Sequence, residues 1–372
     1  MKILHIASFI GNLGDLLSHH ALHRFLRRSF GEGIEIETLE IRRFHKNASA
    51  DIALHLDDVL PQLDGKYDRI IIGGGGFLDY WVPNSQTGTS IDVSAKTLER
   101  LRTPLLISSV GAYPLREPPV ENHERFRRFL EVIGALSNIQ LMLRNDGSRE
   151  HIIEHFSSDL VRDVPECGDH CYLLRPQDEA IPPARRGRYI AVNLAPDQVP
   201  MQSHLRSGID PDIYYRGIAE GLFAAAEAHS ADIVFVPHLP VDFKAVTRIV
   251  EHFSDAFMRS RFHTDGFDGG FSAIPSALST YAHSIANVSG RLHSNIASFV
   301  LEKPTVSLGV LSRVVALTQQ HPSAALVGTF DGGLRDRIVE GVDRAITSGG
   351  DDYASTVRSK IEAYLLETLE GR

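Results

Sequence analysis

Ile3-Leu4-His5-Ile6-Ala7-Ser8-Phe9-Ile10-Gly11-Asn12-Leu13-Gly14-Asp15 is an apolar run that feeds a glycine turn, and the segment after it decides the class. Leu17, Ala21 and Phe25 recur at four-residue steps beside Leu22 and Leu26, making one apolar stripe that Gly31 stops. The opposite face carries Arg24, Arg27 and Arg28. A buried strand over Ile3 to Phe9, a turn, and an amphipathic helix follow in that order. The same alternation predicts strands near Ile34 to Leu39, Arg69 to Ile72, Leu105 to Val110 and Gln140 to Leu143. Helices are predicted over Asp51 to Leu63, Asp92 to Leu101, Glu121 to Leu136 and Gly147 to Phe156. Apolar runs rich in Ile, Val and Leu beneath crossover helices are the signature of a parallel α/β sheet.

Working outward, the segment Arg175 to Arg188 holds Pro176, Pro182, Pro183 and several arginines, with little to build a core, and reads as a linker. Beyond it strands are predicted near Tyr189 to Leu194, Ile233 to Pro237, Ile285 to Val288 and Thr305 to Leu308. Helices near Ile213 to Ala228, Val241 to Phe253, Ile274 to His283 and His293 to Leu301 separate them. From Asp351 to Leu369, Val357, Ile361, Tyr364, Leu365 and Leu369 fall on helical spacing. The expectation is two Rossmann-like α/β domains, 1–175 and 189–345, facing a cleft. A C-terminal helix within 351–372 packs back on the first domain. At 372 residues two cores are also what chain length favours.

Composition narrows the partners. A formal net charge of −9 argues against broad attraction to nucleic acid or anionic lipid, so an anionic ligand must be met by local groups. No run approaches a membrane span, and Met1 to Phe9 is too short and polar for a signal-peptide core. The only cysteines, Cys167 and Cys171, cannot build a disulfide framework and fit a reducing cytoplasm. Their spacing lacks the second ligand pair of structural zinc, so no metal is expected.

Four segments bear on chemistry. In the first turn Gly11 and Gly14 permit close backbone approach, Asn12 tolerates a left-handed conformation, and Asp15 either caps the helix or points into the cleft. Gly73-Gly74-Gly75-Gly76 follows a strand-like run, and Gly74 and Gly75 offer a ligand-facing backbone or serve a packing turn. Arg144, followed by Asn145-Asp146-Gly147-Ser148, ends another strand and either reaches a ligand or forms a structural ion pair. Ser289-Gly290-Arg291-Leu292-His293-Ser294-Asn295 joins flexibility, a cation, an imidazole and a helix N-terminus. There Arg291 suits a carboxylate or phosphate and His293 suits proton transfer. His238, at a strand end with Asp242 four residues on, is a second acid/base candidate.

Taken in order, Gly11-Asn12-Leu13-Gly14-Asp15, Gly73 to Gly76, Arg144 with Ser148, and Gly290-Arg291-Leu292-His293 resemble the polysaccharide pyruvyl transferase family. Leu143-Arg144-Asn145 stands where relatives often have Val-Arg-Asp, and Ser312 and Arg313 stand where they often have a lysine. The resemblance implies a GT-B-like fold and transfer of an enolpyruvyl-derived group from phosphoenolpyruvate to a sugar hydroxyl, forming a pyruvate ketal. Phosphoenolpyruvate is then a co-substrate and no cofactor is needed. It also implies that Arg291, Leu292 and His293 bind phosphoenolpyruvate, with Ser289 and Ser294 beside them, and that Asp15 and the glycine turns are the family's amino-terminal cleft motifs. For such a reaction the chemistry assigns His293 or His238 to protonate the methylene carbon or assist phosphate departure, and a carboxylate such as Asp15 to accept a proton from the sugar hydroxyl. The acceptor sugar and the oligomeric state stay open. A GT-B-like sugar-nucleotide glycosyltransferase and a non-catalytic sugar-binding relative are the alternatives.

Overall fold

The computed structural model describes residues 1–31, 33–44, 54–114, 116–183, 187–200, 210–328 and 333–371. Its eleven described strands form two sheets in which every ladder is parallel. The first has the order β2-β1-β3-β4-β5, with β1 Lys2–Ala7, β2 Glu35–Glu40, β3 Arg69–Gly75, β4 Leu105–Val110 and β5 Ile139–Leu143. The second has the order β11-β10-β9-β6-β7-β8. Here β6 is Tyr189–Asn193, β7 Asp232–Phe235, β8 Phe262–Thr264, β9 Ala286–Ser289, β10 Thr305–Leu308 and β11 Ala325–Val327.

The helices described in full are α1 Leu13–Phe30, α2 Leu56–Leu63, α3 Ala95–Arg100, α4 Val120–Ala135, α5 Ser148–His155, α6 Pro211–Ala228, α7 Phe243–Val250, α8 Asp255–Arg261, α9 Ile274–His283, α10 Leu292–Val300, α11 Ser312–Thr318, α12 Leu334–Ser348 and α13 Tyr353–Glu370. The predicted helix from Asp51 begins at Leu56, and residues 51–53 lie outside the described residues. Not anticipated were α8, α11, α12 and the strands β8 and β11. No helix among the described residues is long and apolar enough to cross a membrane.

Contacts divide the chain into two compact units. One comprises Met1–Phe9, Ser18–Leu173 and Val357–Arg372; the other comprises Ile10–Leu17 and Leu174–Thr356. The chain therefore changes unit inside α1, between Leu17 and Ser18, and again inside α13. In the first unit Ile70, Ile72, Leu105 and Ile107 of the sheet pack with Phe126, Phe129 and Leu130 of α4. From Val357 onward α13 belongs to this unit, and Arg28 of α1 pairs with Glu362 there at 2.9 Å. In the second unit Ile190, Val192, Val288 and Val306 pack with Ile218 and Leu222 of α6 and Ile338 and Val342 of α12. Removing such fully buried side chains from water supplies roughly 1.5–3 kcal/mol each before entropy is counted.

The described part of the predicted linker contributes no buried residue between Arg175 and Pro183, and 184–186 lie outside the described residues. The glycine run departs from the expected turn after Ile72: β3 continues through Gly75. Gly73 is glycine because a Cβ there would meet the Ser108 carbonyl oxygen of β4 at 1.7 Å.

Candidate active site

The second unit gathers most of the residues that the sequence singled out. In its sheet β9, β6 and β7 are neighbours, so the segments leaving their carboxyl ends lie side by side, where α/β sheets place ligands. Asn193, the last residue of β6, ties the three together. Its Nδ2 donates to the Val236 carbonyl (2.8 Å), its carbonyl accepts from Gly290 N (2.8 Å), and its Oδ1 accepts from Arg291 N and Ser294 Oγ (3.1 Å each). Ser294 Oγ also lies 2.7 Å from the Arg291 carbonyl, and Asn295 Nδ2 donates to that carbonyl at 2.8 Å. The turn that carries Arg291 is therefore held by hydrogen bonds on both sides, and side chains fixed in this way can be aimed.

Arg291 is the N-cap of α10, with extended backbone, and His293 sits in the first helical turn. The Arg291 guanidinium is not vacant. Nε donates to Asp242 Oδ2 at 2.9 Å and Oδ1 at 3.1 Å, Nη2 donates to Asp242 Oδ1, and Nη2 also donates to Asp197 Oδ1 at 2.6 Å. Burial works against its charge, but the hydrogen bonds and charge of Asp242, with Asp197, outweigh burial and raise its pKa. Asp242 Oδ2 further accepts from the backbone N–H groups of His238 (2.9 Å) and Leu239 (3.2 Å). The bidentate fork expected for a ligand is thus spent on a protein carboxylate, and Asp197 is a site residue that sequence reading missed.

His238 is buried, its Nε2 lies 2.8 Å from Tyr281 Oη, and its Nδ1 has no partner among the described residues. Burial first, then Arg291 and His293, pushes its pKa well below 6.5, so the ring is neutral. Its carbonyl accepts from Leu13 N at 2.9 Å, which docks the first turn of α1 in this unit. Gly11, at φ +76°, donates its N–H to the Gly269 carbonyl, and Asn12 Oδ1 accepts from Gly14 N at 3.1 Å as a cap would. Asp15 and His293 come together, Oδ1 to Nδ1, at 3.8 Å. Gly14 lies against that ring: a Cβ would meet His293 Nδ1 at 2.6 Å. Leu292 and Ser289 are buried, and Ser289 Oγ has no partner among the described residues.

Gly74, Gly75, Arg144 and Ser148 belong to the first unit. Arg144 takes the structural alternative. It is 2% exposed, Nη2 lies 2.7 Å from Asp146 Oδ2, and Nη1 lies 3.5 Å from Asp169 Oδ2. Burial opposes its charge, and Asp146, Asp169 and Asp79 outweigh burial. Ser148 Oγ donates to Asp146 Oδ1 and accepts from Ala112 N (2.8 Å), so Ser148 supports the pair. Asp169 also accepts from Ser18 Oγ and from Cys171 N. Gly74, at φ +77°, faces the rings and hydroxyl of His19 and Ser18. Gly75 faces Phe77. Cys167 and Cys171 are buried free thiols, and burial pushes Cys167 up to about 11 and Cys171 well above its usual value.

The family model for polysaccharide pyruvyl transferase matches residues 12–312. A comparison with curated proteins finds no match. Among solved structures the chain is similar to a UDP-GlcNAc 2-epimerase of Methanocaldococcus jannaschii in complex with UDP-GlcNAc and UDP. That likeness has 12% identity and a TM-score of 0.57, over 99% of each chain. It is also similar to a glycosyltransferase from Rickettsia africae (10% identity, TM-score 0.53, 100% of this chain and 98% of that one). A third is S. aureus MnaA with UDP (11% identity, TM-score 0.52, 98% and 97%). At such identities the likeness concerns the fold, which is the two-sheet α/β fold of GT-B-like enzymes.

Proposed function

The chain belongs to the polysaccharide pyruvyl transferase family, an enzyme family, and on that premise we propose that it transfers the three-carbon unit of phosphoenolpyruvate to a sugar as a pyruvate ketal. The reaction balances without a redox partner. Two sugar hydroxyl oxygens bond to C2 of the enolpyruvyl group, and the C2–O bond to phosphate breaks. One hydroxyl proton ends on the methylene carbon, making a methyl group, and the other leaves with phosphate.

The observation that carries this reading is the hydrogen-bonded turn from Ser289 to Asn295. It sets a buried guanidinium at the N-cap and an imidazole in the first turn of one helix. A helix N-terminus presents N–H groups without intrahelical partners and favours an anion. Phosphoenolpyruvate has two anionic groups, and the proposal seats one of them beside Arg291 and the first turn of α10. His293, with Asp15 3.8 Å away, is better placed than His238 to move the proton at the methylene carbon. His238 is neutral, sealed and tied to Tyr281, and its contribution is to hold Asp242 and Leu13 through its backbone. Asp15 takes the hydroxyl proton.

The test is phosphate release from phosphoenolpyruvate in the presence of a panel of acceptor glycans. Acceptor-dependent release supports the proposal. Release of UDP or GDP from a nucleotide sugar, with phosphoenolpyruvate inert, overturns it.

A further inference from the structure

Arg291 carries two carboxylates where one would neutralise it, and the two are unlike. Asp242 is fully buried, and its oxygens accept from Arg291, His238 N and Leu239 N, so it cannot leave without stranding a buried charge. Asp197, in the turn after β6, has a side chain 33% exposed and holds Nη2 by a single hydrogen bond of 2.6 Å. One positive and two negative charges leave this corner with a net negative charge, which repels the anion that the proposed reaction requires. A half-exposed ion pair adds little to stability.

We propose that Asp197 is a stand-in for the substrate's anionic group: its carboxylate occupies the Nη2 position of Arg291 until a ligand carboxylate or phosphate takes that place and Asp197 turns out to solvent. This rests on the reading that an anion binds at Arg291. It also gives the site a selection rule. A neutral sugar gains nothing by displacing a carboxylate from a guanidinium, whereas a phosphate or a second carboxylate replaces charge with charge.

The test is calorimetric titration of the wild type, Asp197→Asn and Asp197→Ala with phosphoenolpyruvate, UDP and inorganic phosphate at one ionic strength, alongside melting curves without ligand. Removing a like charge beside the ligand is expected to tighten phosphoenolpyruvate binding about tenfold in at least one variant, with melting close to wild type. If phosphoenolpyruvate is ignored by all three proteins while UDP or phosphate binds more tightly to a variant, the donor assignment fails and the stand-in role holds. If no anion binds more tightly to either variant, or if neither variant folds, the stand-in role is overturned, whatever donor the enzyme uses.

Discussion

Arg144 and Arg291 share a local setting in the two units, though Arg144 follows the edge strand β5 and Arg291 an interior strand, β9: each lies just past a parallel strand, precedes a helix and pairs with two aspartates. Their ion pairs differ in one respect. Both partners of Arg144 are 1% exposed, whereas one partner of Arg291 is sealed and the other is open. The same residue type in a similar local setting is a sealed ion pair in one unit and, on the proposal above, a handle for an anion in the other. The accessibility of its second carboxylate, more than burial of the arginine, separates the roles.

The largest expected effect tests the first unit as the rigid one. His5, His19 and His170 sit in its interior and His23 is half-buried beside them, with His5 Nδ1 3.0 Å from His23 Nε2 and His170 Nε2 2.7 Å from Ser108 Oγ. Burial, then neighbouring Arg27, His20 and His170, lowers His23 to about 4. Burial likewise lowers His170 to about 4 against the opposing pull of Asp169. Because the folded values are depressed, their contribution is complete above pH 6.5 and is lost as pH falls toward 4, where the unfolded chain binds more protons. Acid unfolding followed by hydrogen exchange should therefore weaken the first unit by several kcal/mol, roughly, over that window. The second unit, where among the described histidines His238 is the buried ring whose pKa burial depresses, should lose less. Equal loss in both units would break the contrast.

Next in size, Arg144→Ala should cost about 3–5 kcal/mol of stability, because Asp146 and Asp169 are left buried and unpaired. Urea midpoints check this, and a midpoint near wild type would show the sealed pair to be dispensable. His293→Ala should keep the fold and lower turnover about a hundredfold, equivalent to roughly 2.7 kcal/mol, with a smaller change in phosphoenolpyruvate affinity. Unchanged turnover would return His293 to a packing role. Gly14→Ala should act on the same ring by steric displacement, lowering turnover about tenfold while leaving Asp197-dependent affinity in place. Wild-type kinetics there would mean that the ring's position is not critical. The smallest effect is the stability change of Asp197→Asn, expected within about 1 kcal/mol; a larger loss in thermal melts would make Asp197 a structural partner.

Much of this was legible in the chain because strands buried on both faces must be apolar runs. Leu105–Val110 and Thr305–Leu308 match their predicted spans for that reason. The strands β8 and β11 are three residues each, at the two edges of their sheet, too short for any periodicity. Gly73 to Gly75 read as a turn because glycine has no strand signature, and only the neighbours each one meets, the Ser108 carbonyl at Gly73, His19 and Ser18 at Gly74 and Phe77 at Gly75, show why glycine stands in β3. At the site, Arg291, His293 and Asp15 were visible from position in turns and caps. The aspartates that decide what Arg291 can do were harder to read. Asp197 meets it across 94 residues, a pairing that follows from β6 lying next to β9 rather than from any local spacing.

The division of the chain inside α1 and α13 makes the boundary between the units one that no single cut can follow. A nick in the proline- and arginine-rich stretch after Arg175 would release two polypeptides, each still carrying a piece of its counterpart: Ile10–Leu17 on the first fragment, Val357–Arg372 on the second. Neither fragment is a self-sufficient gene product. The first holds Gly14 and Asp15, the second holds Arg291 and His293, and split halves would regain the histidine–aspartate pair only by complementation.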